Sequence, residues 1–189
     1  PLPTPLPGKT STTPSGDNVI GYLGRIHPER NPELWIASIK ELNKKRQDFN
    51  CVIAGSGPDE NSFITRLVDL LGPARVTFKG HVSENELDNF WNEITILLST
   101  SNIESYGLAI REAILRGKRC VAVTSVGARD AKENFGEAIS LAELDASDIA
   151  NVLNVGITNR SNTVNIDAIK SKQEIMNSEY VRELVNSWR

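Results

Sequence analysis

Apolar residues in this chain come mostly in short continuous runs and seldom alternate with polar ones. A strand that is covered on one face alternates apolar and polar residues, whereas a strand covered on both faces is apolar throughout. The runs therefore predict strands that are buried inside a layered fold. Strands are predicted at Val19–Leu23, Cys51–Ala54, Arg75–Lys79, Ile94–Leu98, Arg119–Thr124 and Ala138–Leu141.

Between these runs the apolar residues recur at three- and four-residue spacing, which is typical of amphipathic helices. Asn31 is predicted as the N-cap before Pro32, and Ser83 is followed three residues later by Glu86, the pattern of a capping box. Helices are predicted at Pro32–Lys45 and Glu60–Leu71, from Ser83 onward, at Tyr106–Arg116 and Ala146–Asn159, with one or two more between 164 and 189.

Strands that alternate with helices through short joins predict an α/β fold with right-handed crossovers. We expect a doubly wound parallel sheet of about six strands, Rossmann-like, with helices at the carboxyl end. The chain of 189 residues suits one domain with a tail. The predicted division is a Pro/Ser/Thr-rich linker or tail at 1–17, a main domain at 18–163 and a helical tail at 164–189.

The composition narrows the classes of partner. A net charge of −3 without a dense basic run gives no reason to expect nucleic acid. No apolar run approaches the roughly 18 residues of a membrane span. Cys51 and Cys120 each lie in a predicted strand, so we expect buried free thiols and a cytoplasmic protein. No metal-ligand spacing is visible, so no metal is predicted.

In such a sheet, ligands bind beyond the carboxyl ends of the strands. Arg25 and Arg30 share the loop after the first strand, and two guanidinium groups beside a helix start suit a diphosphate. The alternative is an ordinary exposed loop in which Arg30 pairs with Glu29 or Glu33. Neither His27 nor His81 is predicted to be a catalyst, because a loop histidine is more often a surface residue.

The turn after the fourth strand carries two carboxylates around a helix start. Gly107 and Leu108 should present free backbone N–H groups there, which is an anion site. Glu104 lies before this start, and Glu112 follows about one and a half turns into the helix. The arrangement suits a nucleoside diphosphate sugar, but Glu104 and Glu112 could also be surface charges or an acid/base pair acting on a glycosidic bond.

These residues together resemble a known family. The pair Glu104 and Glu112, with seven residues between them and an inner Gly-Leu, is similar to the carboxyl-terminal half of retaining glycosyltransferases with the GT-B fold, often called family 4. The resemblance covers about residues 18–155. The other matching pieces are Gly24-Arg25, Gly55-Ser56-Gly57, Thr77 to Val82, Glu112-Ala113 followed by Gly117, and Cys120 to Val123.

The resemblance implies a role for each matching residue. Arg25 and Arg30 would bind the donor diphosphate, with Gly24 in the same loop, and Gly107 and Leu108 would present backbone amides to the phosphate and the sugar. Glu104 would contact donor sugar hydroxyls and Glu112 the ribose. His81 and Val82 would lie near the base, and Gly55 in a neighbouring turn. No cofactor other than the donor substrate is implied.

The resemblance also implies what this chain lacks. A GT-B enzyme places its acceptor and catalytic group on an amino-terminal domain, so we expect an inactive fragment of a hexosyltransferase-type enzyme of polysaccharide or glycoconjugate biosynthesis. Any peripheral membrane association would be made by that amino-terminal domain. Arg30-Asn31 stands where the family has Lys-Gly, Gly127-Ala128 replaces a glycine pair, and Asp130 would be the acid that follows. A degenerate interaction module and another GT-B enzyme, such as a sugar-nucleotide epimerase or a phosphorylase, are the alternatives.

Overall fold

The computed structural model describes residues 18–159 and 166–187. Its strands are β1 (Asn18–Leu23), β2 (Phe49–Ala54), β3 (Val76–Phe78), β4 (Ile96–Ser99), β5 (Arg119–Val123) and β6 (Ile139–Ala142). Its α-helices are α1 (Pro32–Lys45), α2 (Glu60–Leu71), α3 (Glu84–Glu93), α4 (Leu108–Leu115), α5 (Val126–Phe135), α6 (Ala146–Thr158) and α7 (Ile166–Ser187). Short 3-10 turns lie at Pro28–Arg30, Pro73–Arg75 and Gly136–Ala138.

The six strands form one parallel sheet in the order β3-β2-β1-β4-β5-β6. The chain adds strands outward from β1 to β3 and then returns to the centre, where β4 pairs with β1. The order of strands thus reverses between β1 and β4, which is the switch point at which α/β sheets bind ligands. The predicted doubly wound fold is confirmed.

Each face of the sheet carries its own apolar layer. On one face Ile20 and Ile53 pack with Trp35 and with residues of α1, α2 and α6. On the other face Leu97 and Ala122 pack with Phe90 and with residues of α3, α4 and α5. Burial on both faces explains why the central stretches of the inner strands are continuous apolar runs.

Most predicted bounds agree with the structure, and the differences have local causes. α1 and α2 begin and end at the predicted residues, whereas α4 begins at Leu108, after a left-handed Gly107. The capping box is present, since the Glu86 carboxylate accepts hydrogen bonds from the N–H and the hydroxyl of Ser83. The tail forms one helix, α7, which packs against α4.

One predicted helix start differs in detail, and one helix was not predicted. Asn31 is the N-cap of α1 as predicted, but its side chain makes no cap hydrogen bond to the helix. Its amide donates to the Thr100 carbonyl and to Asn102 Oδ1, both at 3.2 Å, and its backbone is left-handed. Helix α5 was not predicted, because the sequence after β5 was interpreted only as a loop.

Some expectations concern parts of the chain that are not described. The predicted linker at 1–17 and the boundary at 163/164 lie outside the described residues. Within residues 18–159 and 166–187, no helix combines the length and the apolar character that crossing a membrane requires.

Two glycine-to-alanine changes should shift stability in opposite directions. A Cβ at Gly21 would lie 2.7 Å from Ile94 Cδ1, so Gly21→Ala should lower the free energy of unfolding by about 1–3 kcal/mol through overpacking. A Cβ at Gly156 in α6 meets Ile96 Cδ1 at an ordinary 3.5 Å. Gly156→Ala should therefore gain up to ~1 kcal/mol from helix propensity. Urea unfolding measures both, and an unchanged Gly21→Ala would contradict the packing described.

Candidate functional site

A crevice of about 260 Å³ opens at the switch point between β1 and β4. Six of the residues predicted as a binding site line this crevice: Gly24, Arg30, Glu104, Gly107, Leu108 and Glu112. Four others do not line it. Arg25, Gly55, His81 and Val82 lie in the loops after β1, β2 and β3, at the same edge of the sheet.

The Tyr22 side chain fixes the backbone of the turn after β1. The Tyr22 hydroxyl donates to the Arg25 carbonyl at 2.8 Å, and its ring packs edge-on against Trp35 at 5.9 Å between centroids. Burial raises the pKa of Tyr22 to about 12, so the hydroxyl stays protonated and remains a donor. The backbone of Arg25 is thereby fixed while its side chain remains exposed.

Glycines allow the loops after β1 and β2 to pack backbone against backbone. A Cβ at Gly55 would lie 1.9 Å from the Gly24 carbonyl oxygen, which excludes any side chain there. The Gly55 N–H donates to the Gly80 carbonyl at 2.7 Å, which ties the β2 loop to the β3 loop. Gly55 is therefore explained by packing of the loops, and His81 and Val82 follow directly after its partner Gly80.

Arg30 reaches across the crevice. Its backbone carbonyl accepts a hydrogen bond from the Thr100 hydroxyl at 2.9 Å, and its guanidinium forms an ion pair with Glu104. The alternative pairing with Glu29 or Glu33 is not observed, because Glu29 lies beside His27 and Glu33 pairs with Arg66. The loop after β1 is thus connected to the turn after β4 by an ion pair.

The Glu104 carboxylate connects two groups that suit an anion. One oxygen pairs with Arg30, and the other accepts the Gly107 N–H at 3.1 Å. The expectation that the Gly107 amide is free was therefore wrong. The physical reason is local: Gly107 takes the left-handed conformation with φ of 75°, and its N–H is then satisfied by a carboxylate three residues earlier.

Glu112, on α4, also lines the crevice. Its side chain is half-buried, and burial raises the pKa of the carboxyl group, while Arg116 opposes the rise and Glu84 adds to it. Its carboxylate accepts no hydrogen bond from another described residue. An acceptor that is partly desolvated and unpartnered is suited to a ligand hydroxyl.

Helix α5 supports this site and was missed in the sequence. The Ser125 hydroxyl accepts the Ala128 N–H at 3.2 Å and caps the helix, and the Gly127 N–H donates to the Glu104 carbonyl at 2.8 Å. A Cβ at Gly127 would lie 2.6 Å from the Tyr106 carbonyl carbon. Ser125 followed by alanines at helical spacing was a signal that could have revealed α5.

Arg111 is a buried charged residue beside the site that the sequence analysis did not identify. It lies on α4, is completely buried and forms an ion pair with Asp130 of α5.

In the described residues no group of three or more His, Cys, Asp or Glu side chains could hold a metal ion.

A family model described as "Glycosyl transferases group 1" matches residues 9–172. The chain belongs to this family. Among its relatives, the D-inositol 3-phosphate glycosyltransferase of Mycolicibacterium smegmatis is 29% identical over 137 residues, which are 72% of this chain and 31% of that protein. The 2-deoxystreptamine N-acetyl-D-glucosaminyltransferase of Niallia circulans is 24% identical over 83% of this chain and 40% of its own. The chain thus spans well under half the length of these curated relatives.

Solved structures share the fold. HepE of Anabaena, crystallised with UDP-glucose, has a TM-score of 0.72 at 18% identity and is matched over 90% of this chain and 49% of its own. The catalytic domain of the cholesterol-alpha-glucosyltransferase of Helicobacter pylori has a TM-score of 0.61 at 28% identity, over 90% of this chain and 98% of its own. The six-stranded parallel sheet of this glycosyltransferase chain is therefore a GT-B type, Rossmann-like half.

The two shifted glutamates should change the pH dependence of stability in opposite ways. Burial raises the pKa of Glu112 in the fold, so the stability of the native state falls as pH rises from the unfolded-state pKa to the folded-state pKa, and the loss is complete above it. We expect Glu112→Gln to increase the free energy of unfolding at pH 7, and the gain to vanish in acid.

Glu86 is the matched control. Hydrogen bonds from Ser83 lower its pKa, so its ionisation stabilises the native state above the unfolded-state pKa, and this contribution is lost as pH falls through the folded-state pKa. Glu86→Gln should therefore lower stability at pH 7 and have no effect in strong acid. Urea unfolding of both variants between pH 3 and pH 8, a range that spans ordinary carboxyl pKa values, tests the assignment. Parallel curves would contradict it.

Proposed function

We propose that this chain is the donor-binding domain of a retaining glycosyltransferase, and that a nucleoside diphosphate sugar binds in the crevice at the switch point. The observation that supports the proposal best is the contact of Arg30 and the Gly107 amide with Glu104 at the start of α4, in a crevice that Glu112 also lines. The crevice is thus lined by a cation, a backbone amide and two carboxylates.

The diphosphate would occupy the end of the crevice nearest the start of α4. Arg30 and the backbone N–H groups of Gly107 and Leu108 would face its oxygens, with the positive end of the helix dipole behind them. The exposed Arg25 side chain, which has no ion-pair partner among the described residues, would add a second cation from the same loop as Arg30. Because Glu104 now satisfies Arg30 and Gly107, the diphosphate would have to displace it.

The two carboxylates would then hold the two ends of the donor. Glu104, released from Arg30, would accept hydrogen bonds from hydroxyls of the donor sugar. Glu112 would accept both hydroxyls of the ribose, since an ionised carboxylate has two acceptor oxygens. His81 and Val82, in the loop after β3, would lie near the base and contact it through backbone groups, beside the turn at Gly55.

In the whole enzyme this domain would stabilise the leaving diphosphate. Fixed guanidinium groups and a helix N-terminus lower the energy of negative charge that develops as the glycosidic bond breaks. The acceptor and the catalytic group would come from an amino-terminal domain, so this chain alone would transfer no sugar. The donor would be the substrate, with no further cofactor or metal, and the enzyme would act in the cytoplasm, with any membrane contact made through the other domain.

The ribose role of Glu112 is tested by titrating UDP, GDP and ADP into the protein. Glu112→Ala should weaken binding of the preferred nucleotide by about tenfold, which corresponds to ~1.4 kcal/mol. Glu133→Ala is the control, because it removes the same charge from an exposed site on α5 outside the crevice. Equal affinities in both variants would exclude the ribose role, and no nucleotide binding at all would favour a non-catalytic interaction module.

The displacement of Glu104 predicts opposite effects on two ligands. Glu104→Gln removes the carboxylate that competes for Arg30, so the affinity for a free nucleoside diphosphate should rise by roughly two- to fivefold, the range of a partly exposed ion pair. The same variant loses an ionised acceptor for sugar hydroxyls, so its preference for the nucleotide sugar over the free diphosphate should fall. Calorimetric titration with UDP and UDP-glucose measures both, and a weaker affinity for UDP would contradict the displacement.

A further inference from the structure

Arg111 is buried where an apolar residue would satisfy the helix pattern. It lies on α4 between Ile110 and Glu112, and its side chain has no exposed surface. A buried guanidinium is costly unless it is paired and hydrogen-bonded. Its partners should therefore show what this position does.

The partners of Arg111 lie on two elements that meet beside the crevice. Its Nε donates to the Tyr106 carbonyl at 3.2 Å, and its Cζ lies 4.4 Å from the centroid of the Tyr106 ring. The same guanidinium lies 5.5 Å from the Phe135 ring and pairs with the Asp130 carboxylate. One side chain thus joins the turn before α4 to helix α5.

This contact completes the support of the turn that carries the binding groups. The Gly127 N–H of α5 holds the Glu104 carbonyl at one end, and Arg111 holds the Tyr106 carbonyl at the other. The segment between them places the Glu104 carboxylate opposite Arg30 and sets the left-handed Gly107 that begins α4. The two hydrogen bonds thus flank the segment that carries these groups.

We propose that Arg111 is a positioning residue for donor binding: it fixes the 104–107 turn against α5 so that Glu104 and the Gly107 amide face the ligand. The proposal rests on the proposed function for its ligand, but its structural part can be tested without any ligand. Arg111 contacts no group of the donor in this scheme, because Tyr106, Phe135 and Asp130 surround it.

Arg75, which precedes the edge strand β3, is a partly buried control that makes two contacts of the same kind. Its Nε donates to the Phe49 carbonyl at 3.0 Å, its Cζ lies 4.6 Å from the Phe49 ring, and a further nitrogen bonds Asn43 at 3.0 Å. Each arginine therefore binds both the ring and the carbonyl of one aromatic residue, and each leaves one buried nitrogen without a partner. Arg75 precedes β3 and lies outside the crevice.

The first test is amide hydrogen exchange in the free protein. Arg111→Met should speed exchange at the Gly107 and Gly127 amides by about tenfold beyond its effect on global stability, because the turn opens locally. Arg75→Met should leave both amides at the rate that its own stability predicts. If Arg111→Met does not fold, Asp130→Asn replaces it and should move the same two amides by at least about threefold. Unchanged exchange there overturns the proposal.

The second test is binding of UDP-glucose, measured well below the melting temperature of each variant. Arg111→Met, or Asp130→Asn in its place, should weaken binding by about tenfold or about threefold respectively, while Arg75→Met stays within about twofold of the wild type. Equal affinities for the Arg111 and Arg75 variants overturn the proposal. Failure of the wild type to bind UDP-glucose defeats the proposed function instead, and the exchange result then decides whether Arg111 positions the turn.

Discussion

The parallel sheet must be covered on both faces, and the rest of the molecule follows from this constraint. The strands offer mainly apolar side chains on both faces, so α1, α2 and α6 cover one face and α3, α4 and α5 the other. The chain can fill both faces only by returning to the centre, where β4 joins β1. The crevice results from that return, since the connections from β1 and β4 leave the sheet on opposite faces.

Within the crevice, two groups that could bind an anion are already satisfied by the protein. Arg30 and the Gly107 amide, which could each bind an anion, both contact the Glu104 carboxylate. This keeps the loop after β1 and the start of α4 together without a ligand. In contrast, Glu112 stays unpartnered among the described residues and bears the cost of burial in its raised pKa. A ligand would therefore have to displace Glu104 from Arg30 and Gly107. At Glu112 it would instead supply a hydrogen-bond partner that the carboxylate lacks.

The sequence contained the elements and the candidate residues, but not their pairings. α1 and α2 were predicted to the residue because Pro32, Gly72 and the apolar spacing mark them locally. Asn31 was placed correctly at the start of α1, but its side-chain partners Thr100 and Asn102 could not be predicted because they are distant in sequence. Arg30 and Glu104, which are 74 positions apart, could be named separately but not paired. Arg111 was overlooked because its partner, Asp130, can be recognised only once α5 is placed beside α4.

The short pairing between β1 and β4 determines how a ligand in the crevice would affect the sheet. β1 and β2 are in register over six residue pairs, whereas β1 and β4 share two, Ile20 with Ile96 and Gly21 with Leu97, with Thr95 adding side-chain and backbone bonds to Val19. The short ladder makes this junction the seam between the two halves of the sheet. A molecule bound by Arg30 on one side and Glu112 on the other would bridge that seam, so occupancy and cohesion of the two halves would be thermodynamically linked.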